Sequence, residues 1–213
     1  MTDNNTQVEN NKKIAVLASG GGTNFQSLID AVNSGYLPAK LELLISDNPT
    51  AHALKRAKKA EVDTKLIYPS RYSTREDMER EILNELNKLG IDYIVLAGYM
   101  RLLSPLFVNE YRNRIVNVHP SLLPAFPGDN SIQEAIDYGV KITGCTVHFV
   151  DEGVDTGPIL LQRPVKVFEN DTVDSLRGRI QKREWQVLPR VVRALVTGKI
   201  KRLSERKWVL IDE

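Results

Sequence analysis

The sequence predicts an α/β fold: an open, mostly parallel twisted sheet with helices on both faces and an antiparallel extension after residue 140. Three observations lead there. Short apolar runs alternate with stretches of helical periodicity from the start of the chain, and near-continuous apolarity marks strands covered on both faces. Strand, helix, strand repetition implies right-handed crossovers, which make consecutive strands parallel. Beyond residue 140 two β-rich runs are separated only by a short acidic loop, the spacing of hairpin-related strands.

Taken in order, Lys13 to Ala18 is the first strand, and Phe25, Leu28, Ile29 and Val32 mark the helix after it. Leu41 to Ile45, Thr64 to Ile67, Tyr93 to Ala97 and Arg114 to Val118 supply further strands. The clearest helix spans Thr74 to Leu89, where Met78, Ile82, Leu86 and Leu89 form one stripe and Ser73 with Glu76 makes a capping box. Ile142 to Val150 and Pro158 to Phe168 extend the sheet. A long helix follows, capped by Asp171 or Thr172, with Leu176, Ile180, Val187, Val191 and Leu195 on its apolar face. Pro189 is expected to kink it and Gly198 to stop it, and Trp208 to Ile211 is expected to form a last small strand.

A chain of 213 residues suits one domain over residues 12–213, behind a polar, asparagine-rich stretch, residues 1–11, expected to be a disordered tail. That stretch has no basic start followed by an apolar core, so it reads as neither signal peptide nor anchor. No apolar run approaches the roughly 20 residues of a spanning helix. With 26% charged residues and a formal charge of +2, the chain has no general attraction for nucleic acid or membrane, and any anion site must be local. The single cysteine, Cys145, lies in an apolar run and cannot form an intrachain disulfide, which suits a reducing, cytoplasmic location.

The most informative run is Asn117-Val118-His119-Pro120-Ser121-Leu122-Leu123-Pro124-Ala125-Phe126-Pro127-Gly128. Residues i and i+2 of a strand face one side, so Asn117 and His119 project together from a strand end into a proline-stiffened loop. That places a hydrogen-bond donor and a proton-transfer group in fixed geometry.

Ser19-Gly20-Gly21-Gly22-Thr23-Asn24 lies between the first strand and its helix, where free amides and the positive helix end favour an anion such as phosphate. No lysine follows the glycines, so the Walker A pattern fails, and Phe25 breaks the G-x-G-x-x-G dinucleotide fingerprint. A phosphorylated metabolite fits better than ATP or NAD. The acidic loop Asp151-Glu152-Gly153-Val154-Asp155-Thr156-Gly157-Pro158 is either a solvated turn or a source of a carboxylate for His119. Asp155 is the best candidate for that carboxylate. His148, in the strand before this loop, fits a structural hydrogen bond at least as well as direct catalysis. No closely spaced ligand pair supports a metal site. Arg75 and Arg101 stand beside loops at the predicted active edge, and Tyr99-Met100-Arg101-Leu102-Leu103 mixes apolar surface with one cation, which suits a flat heteroaromatic ligand with an acidic tail. Core packing accounts for Met100, Leu102 and Leu103 equally well.

Together these pieces closely resemble the glycinamide ribonucleotide formyltransferases, a folate-dependent formyltransferase family with a Rossmann-like fold. The motifs are Ala18 to Asn24, Leu96-Ala97-Gly98-Tyr99-Met100-Arg101, Asn117 to Pro124, and Asp155-Thr156-Gly157-Pro158, and the likeness extends from Lys13 over nearly the whole chain. The resemblance implies transfer of a formyl group from 10-formyltetrahydrofolate, as co-substrate, to the amine of glycinamide ribonucleotide in purine biosynthesis. It implies no metal, and a monomer or homodimer. It gives Asn117, His119 and Asp155 catalytic roles, Gly22, Thr23, Asn24, Gln181 and Glu184 substrate contacts, and His148 a supporting role. Arg75, Met100, Arg101, Leu102, Leu103 and Asn117, with Val150, Asp151, Glu152, Gly153 and Val154, would line the folate site. It further implies a cis Leu123-Pro124 bond. Two positions depart from the family: Asp129-Asn130-Ser131 and Trp185 stand where it commonly has histidines. The alternatives are a non-catalytic nucleotide- or folate-binding protein, a methionyl-tRNA formyltransferase, or a formyltetrahydrofolate hydrolase. The last two usually carry an extra domain.

Overall fold

In the computed structural model, which describes residues 12–211, the apolar runs become β1 (Lys12–Leu17), β2 (Ala39–Ser46), β3 (Asp63–Leu66), β4 (Tyr93–Leu96) and β5 (Ile115–His119). They pair in parallel, and β6 (Ile142–Phe149) and β7 (Ile159–Lys166) add antiparallel, giving a seven-stranded sheet in the order β3-β2-β1-β4-β5-β6-β7. Residues 1–11, the expected tail, lie outside the described residues.

The central strands β1, β4 and β5 are mostly apolar because both faces are covered. In β1, Ile14 and Val16 pack into one core with Phe25 and Leu28 of α1 (Thr23–Asn33), Ala53 of α2 (His52–Lys59) and Leu188 of α6 (Val173–Val196). Ala15 and Leu17 point the other way, toward Met78 and Ile82 of α3 (Arg75–Leu89) and Phe107 of α4 (Pro105–Glu110). Ile132 and Ala135 of α5 (Ser131–Tyr138) join the first core. Each fully buried Leu, Ile or Phe side chain contributes about 1.5–3 kcal/mol over its exposed state. Pro164 sits in β7, the edge strand, where a missing backbone donor is tolerated.

Several boundaries differ from expectation. The cap of α3 is Thr74, whose hydroxyl accepts from the Asp77 amide, and Ser73 lies outside. Both residues offer a hydroxyl three positions before a carboxylate, and the extended backbone at Thr74 decides between them. Thr172 and Ser175 form the reciprocal capping box of α6. This helix runs on through Pro189, which cannot donate to the Trp185 carbonyl, to Val196. The last strand has a partner that the sequence pattern hides: β8 (Ile200–Arg202) and β9 (Trp208–Leu210) form a separate antiparallel pair.

Sheet order reverses between β1 and β4, the switch point where open α/β sheets bind ligands. Here the loops after the two strands are tied directly, the Ser19 amide donating to the Gly98 carbonyl at 3.0 Å. The glycine loop, the stretch from Ala97 to Leu103 and the end of β5 thereby share one edge. No described helix is long and apolar enough to cross a membrane.

Gly144 in β6 lets two segments approach: a Cβ there would lie 2.0 Å from the Arg163 carbonyl oxygen and 2.7 Å from Leu122 Cδ2. Gly144→Ala is therefore expected to cost about 1–3 kcal/mol, typical of overpacking, and to lower Tm by several degrees. Thermal unfolding at the wild-type midpoint would contradict this packing.

Candidate active site

Asn117 and His119 lie on one face of β5, and the Asp155 carboxylate reaches both. Asn117 Nδ2 donates to Asp155 Oδ1 at 3.3 Å, and His119 Nδ1 lies 3.2 Å from Asp155 Oδ2. The Gly128 amide donates to the same Oδ2 at 2.9 Å, and His148 Nε2 stands 3.5 Å from Oδ1. The acidic loop does not start at the carboxyl end of β5. Because β6 is antiparallel, the loop leaves opposite Val116, near the start of β5, and folds back to bring Asp155 to His119.

That return requires an unusual backbone. Asp155 adopts φ 53°, in the left-handed region that costs a non-glycine residue about 1–2 kcal/mol. Its surroundings hold it there. Asp151 Oδ1 accepts from the Thr156 hydroxyl at 2.6 Å and the Gly153 amide at 3.2 Å. A Cβ on Gly157 would lie 1.8 Å from the Phe149 carbonyl oxygen, so only glycine lets the loop close on β6. Arg206, in the turn of the β8–β9 hairpin, donates to the Thr156 carbonyl at 2.7 Å.

The two histidines differ in their neighbours. His119 is buried, with Nε2 2.8 Å from the Phe126 carbonyl and Nδ1 on Asp155. Both of its nitrogens face acceptors, and a ring with a hydrogen on each satisfies both. His148, across the ladder from Asn117, gives its Nδ1 hydrogen to the Phe149 carbonyl at 2.8 Å. Its Nε2 lies between the Asn117 amide, at 3.3 Å, and Asp155. It thus touches both Asn117 and Asp155.

Two carboxylates here have opposite electrostatics. Burial works against ionising Asp155, but the His148 hydrogen bond, the Gly128 amide and the charge of His119 overcome it and hold the carboxyl at about 2. For Glu184 burial prevails: the single bond from Asn24 Nδ2, at 2.9 Å, does not offset it, and the carboxyl is pushed up to about 7.

The glycine loop has the geometry of an anion site. Gly22 precedes α1 with φ 67°, and a Cβ there would lie 2.7 Å from that of Ala53, so the left-handed turn and the close approach of α2 both need glycine. Asn24 is joined to Glu184, and its Oδ1 is buried without a partner among the described residues. Gln181 lies one turn before Glu184 on α6.

The expected folate residues separate. Met100, Leu102 and Val154 are exposed, whereas Leu103 belongs to the core. The Met100 amide donates to Ser19 Oγ, linking this stretch to the glycine loop. Arg101 donates to Asp47 at 2.7 Å, so its cation is matched by a nearly buried carboxylate. Glu152 accepts from Asn109 at 3.2 Å, and Val150 packs on the core under α3 and α4. Arg75 opens α3, exposed and ion-paired with Glu76. Sequence reasoning missed the Phe126 carbonyl and the Gly128 amide. Their only signals were the Phe-Pro-Gly turn and the left-handed angles that it allows, φ 53° at Phe126 and 88° at Gly128. Cys145 is buried, and burial together with the nearby Glu184 pushes its thiol up to about 12, leaving it unreactive.

Comparison with known proteins gives a consistent result. The formyl transferase family matches residues 12–192. The phosphoribosylglycinamide formyltransferase of Haemophilus influenzae is 42% identical over 190 residues, covering 89% of this chain and 90% of that one. The crystal structure of glycinamide ribonucleotide transformylase 1 from Symbiobacterium toebii superposes with a TM-score of 0.94 at 41% identity, covering 99% of each chain. A formyltetrahydrofolate deformylase from Pseudomonas syringae shares the fold with a TM-score of 0.87 at 26% identity, over 95% of this chain and 66% of its own.

Glu184 makes stability depend on pH. Its carboxyl rises from an ordinary 4.5 to about 7 on folding, so its favourable contribution is complete below 4.5 and is lost as pH rises to 7. The slope is at most about 1.4 kcal/mol per pH unit. Glu184→Gln is expected to remove it, so that urea unfolding shows the variant gaining on the wild type across that window. Parallel stability curves would contradict the assignment.

Proposed function

The chain belongs to the formyl transferase family, and from that premise we propose that it transfers a formyl group from 10-formyltetrahydrofolate to the amine of glycinamide ribonucleotide, with Asn117, His119 and Asp155 as its catalytic residues. The observation that carries the residue assignment is the Asp155 carboxylate shared between His119 Nδ1 and Asn117 Nδ2.

The amine nitrogen attacks the formyl carbon, a C–N bond forms, and the former carbonyl oxygen takes the negative charge. The Asn117 amide and a His119 N–H donate to that oxygen, and fixed donors in a water-poor site stabilise such charge more than solvent does. The His119 hydrogen given to Phe126 in the free protein is the one available to the substrate oxygen. Asp155 balances the His119 charge and stays ionised, while the amine proton passes through water to the leaving folate nitrogen. Collapse of the intermediate breaks the bond to the folate nitrogen, which takes up that proton and leaves as tetrahydrofolate. Neither a metal nor a covalent intermediate enters the sequence.

Gly22, Thr23 and Asn24 hold the substrate phosphate, while Gln181 and Glu184 contact the substrate from α6. Met100, Arg101, Leu102 and Leu103 with Val150, Asp151, Glu152, Gly153 and Val154 line the folate side, and Arg75 reaches its acidic tail. The exposed Met100, Leu102 and Val154 support that reading, since a flat aromatic ligand would cover them. A buried, unpaired thiol at Cys145 suits a cytosolic enzyme.

Purified protein given both substrates is expected to form tetrahydrofolate and formylated nucleotide in equal amounts. His119→Ala is expected to lower kcat by about 10²- to 10⁴-fold with both ligands still bound. Release of free formate without amine formylation would indicate a hydrolase, and near-normal turnover by the variant would remove His119 from the mechanism.

A further inference from the structure

Beside the glycine loop, between α1, α2 and α6, lies a cavity of about 350 Å³ lined by Thr23, Gln26, Ser27, Asp30, Arg56 and Trp185. Thr23 is the first residue of α1, so this cavity shares a wall with the free amides of the anion site. A phosphate monoester brings roughly 1.5–2 negative charges at neutral pH, and a helix end offers only about half a positive charge. Neither the loop from Ser19 to Asn24 nor the first turn of α1 contains a basic side chain. Arg56 is the only cation among the six lining residues.

Its guanidinium is already set in place. Nε donates to the Gly21 carbonyl inside the loop at 2.9 Å, and Nη1 donates to Gln26 Oε1 at 2.9 Å. Among the described residues no acceptor meets Nη2, and an ordered fork with an uncommitted edge suits a phosphate oxygen. The neighbouring carboxylate, Asp30, is occupied by Gln26 Nε2 at 2.9 Å, which puts an amide between it and Arg56. Trp185 follows Glu184 on α6 and is 39% exposed, a large apolar surface among lining side chains that are otherwise polar. A ligand seated there would cover the indole, and the loss of water would strengthen the contact with Arg56.

We propose that Arg56 is a specificity residue that recognises the phosphate group of the substrate as a dianion, with Trp185 closing that end of the cleft. This rests on the reading that the glycine loop binds the phosphate of a ribonucleotide. The competing role for Arg56 is to brace the Gly21 carbonyl, which needs a donor but no charge.

The test pairs Arg56→Ala, Arg56→Gln and Arg56→Lys, with ribose 5-phosphate as a binding probe in calorimetry and steady-state kinetics alongside. Arg56→Ala and Arg56→Gln should each weaken probe binding and raise KM for glycinamide ribonucleotide by roughly 10- to 100-fold, the size of one charge-assisted hydrogen bond. Arg56→Lys should recover most of the loss, and the effect should fall on KM rather than kcat. Unchanged 10-formyltetrahydrofolate binding checks that the variants fold. Wild-type probe affinity in Arg56→Gln would overturn the proposal in favour of bracing, as would an unchanged KM in Arg56→Ala. A wild-type protein that binds the probe but forms no product would fail the catalytic reading alone, since the binding comparison still decides the role of Arg56.

Discussion

A nearly buried carboxylate must be met by donors from several directions, and at Asp155 that need organises the centre of the molecule. The amide of Asn117, the ring of His119, the backbone of Gly128 and the ring of His148 all converge on its two oxygens. An unpaired charge in such a place would cost several kcal/mol. Each partner is therefore held by the same interaction that it satisfies, and the proline loop is tied to β5 through Gly128. Even the left-handed backbone at Asp155 follows, because a loop leaving β6 beside Val116 needs that turn to return to His119.

Glu184 shows how far the outcome depends on the count of donors. It is buried in the same protein and has the same chemical group, yet among the described residues only Asn24 donates to it, and its carboxyl rises where that of Asp155 falls. Paired carboxyls pushed apart by their surroundings are the usual way one site keeps a fixed anion and a titrating acid together. In the proposed mechanism the fixed anion sits at the reacting centre and the titrating acid at the substrate end. A ligand that brings its own donors to Glu184 would lower its carboxyl again, coupling substrate binding to proton release.

Much of this was legible from the sequence for specific reasons. Doubly buried strands such as Ile14 to Leu17 have no polar face to hide them, and an Asn and a His two apart on a strand must share a side. The glycine loop was readable because strand, glycines and helix follow in order. Other features left little trace. The Phe126 carbonyl and the Gly128 amide are backbone groups, so no side chain advertises them. Ser73 and Thr74 offer equivalent hydroxyls, and only backbone angles choose Thr74. β8 is a short pairing made by Ile200 to Arg202, whose basic sequence reads as solvated surface. The sequence shows Arg101 as one cation beside apolar residues, and nothing near it in sequence points to its partner Asp47.

The central claim is that the charge of Asp155, beyond its shape, prepares His119 and Asn117 for the reaction. Asp155→Asn keeps the size of the side chain and an acceptor for Gly128 but removes the charge. Single-turnover formyl transfer by this variant, with both substrates bound at saturation, tests the claim most directly. The account predicts a rate lowered by about 10²-fold or more, with binding of each ligand retained. A rate within a few-fold of the wild type would show that the carboxylate is a structural tie, and the account of the active site would be wrong.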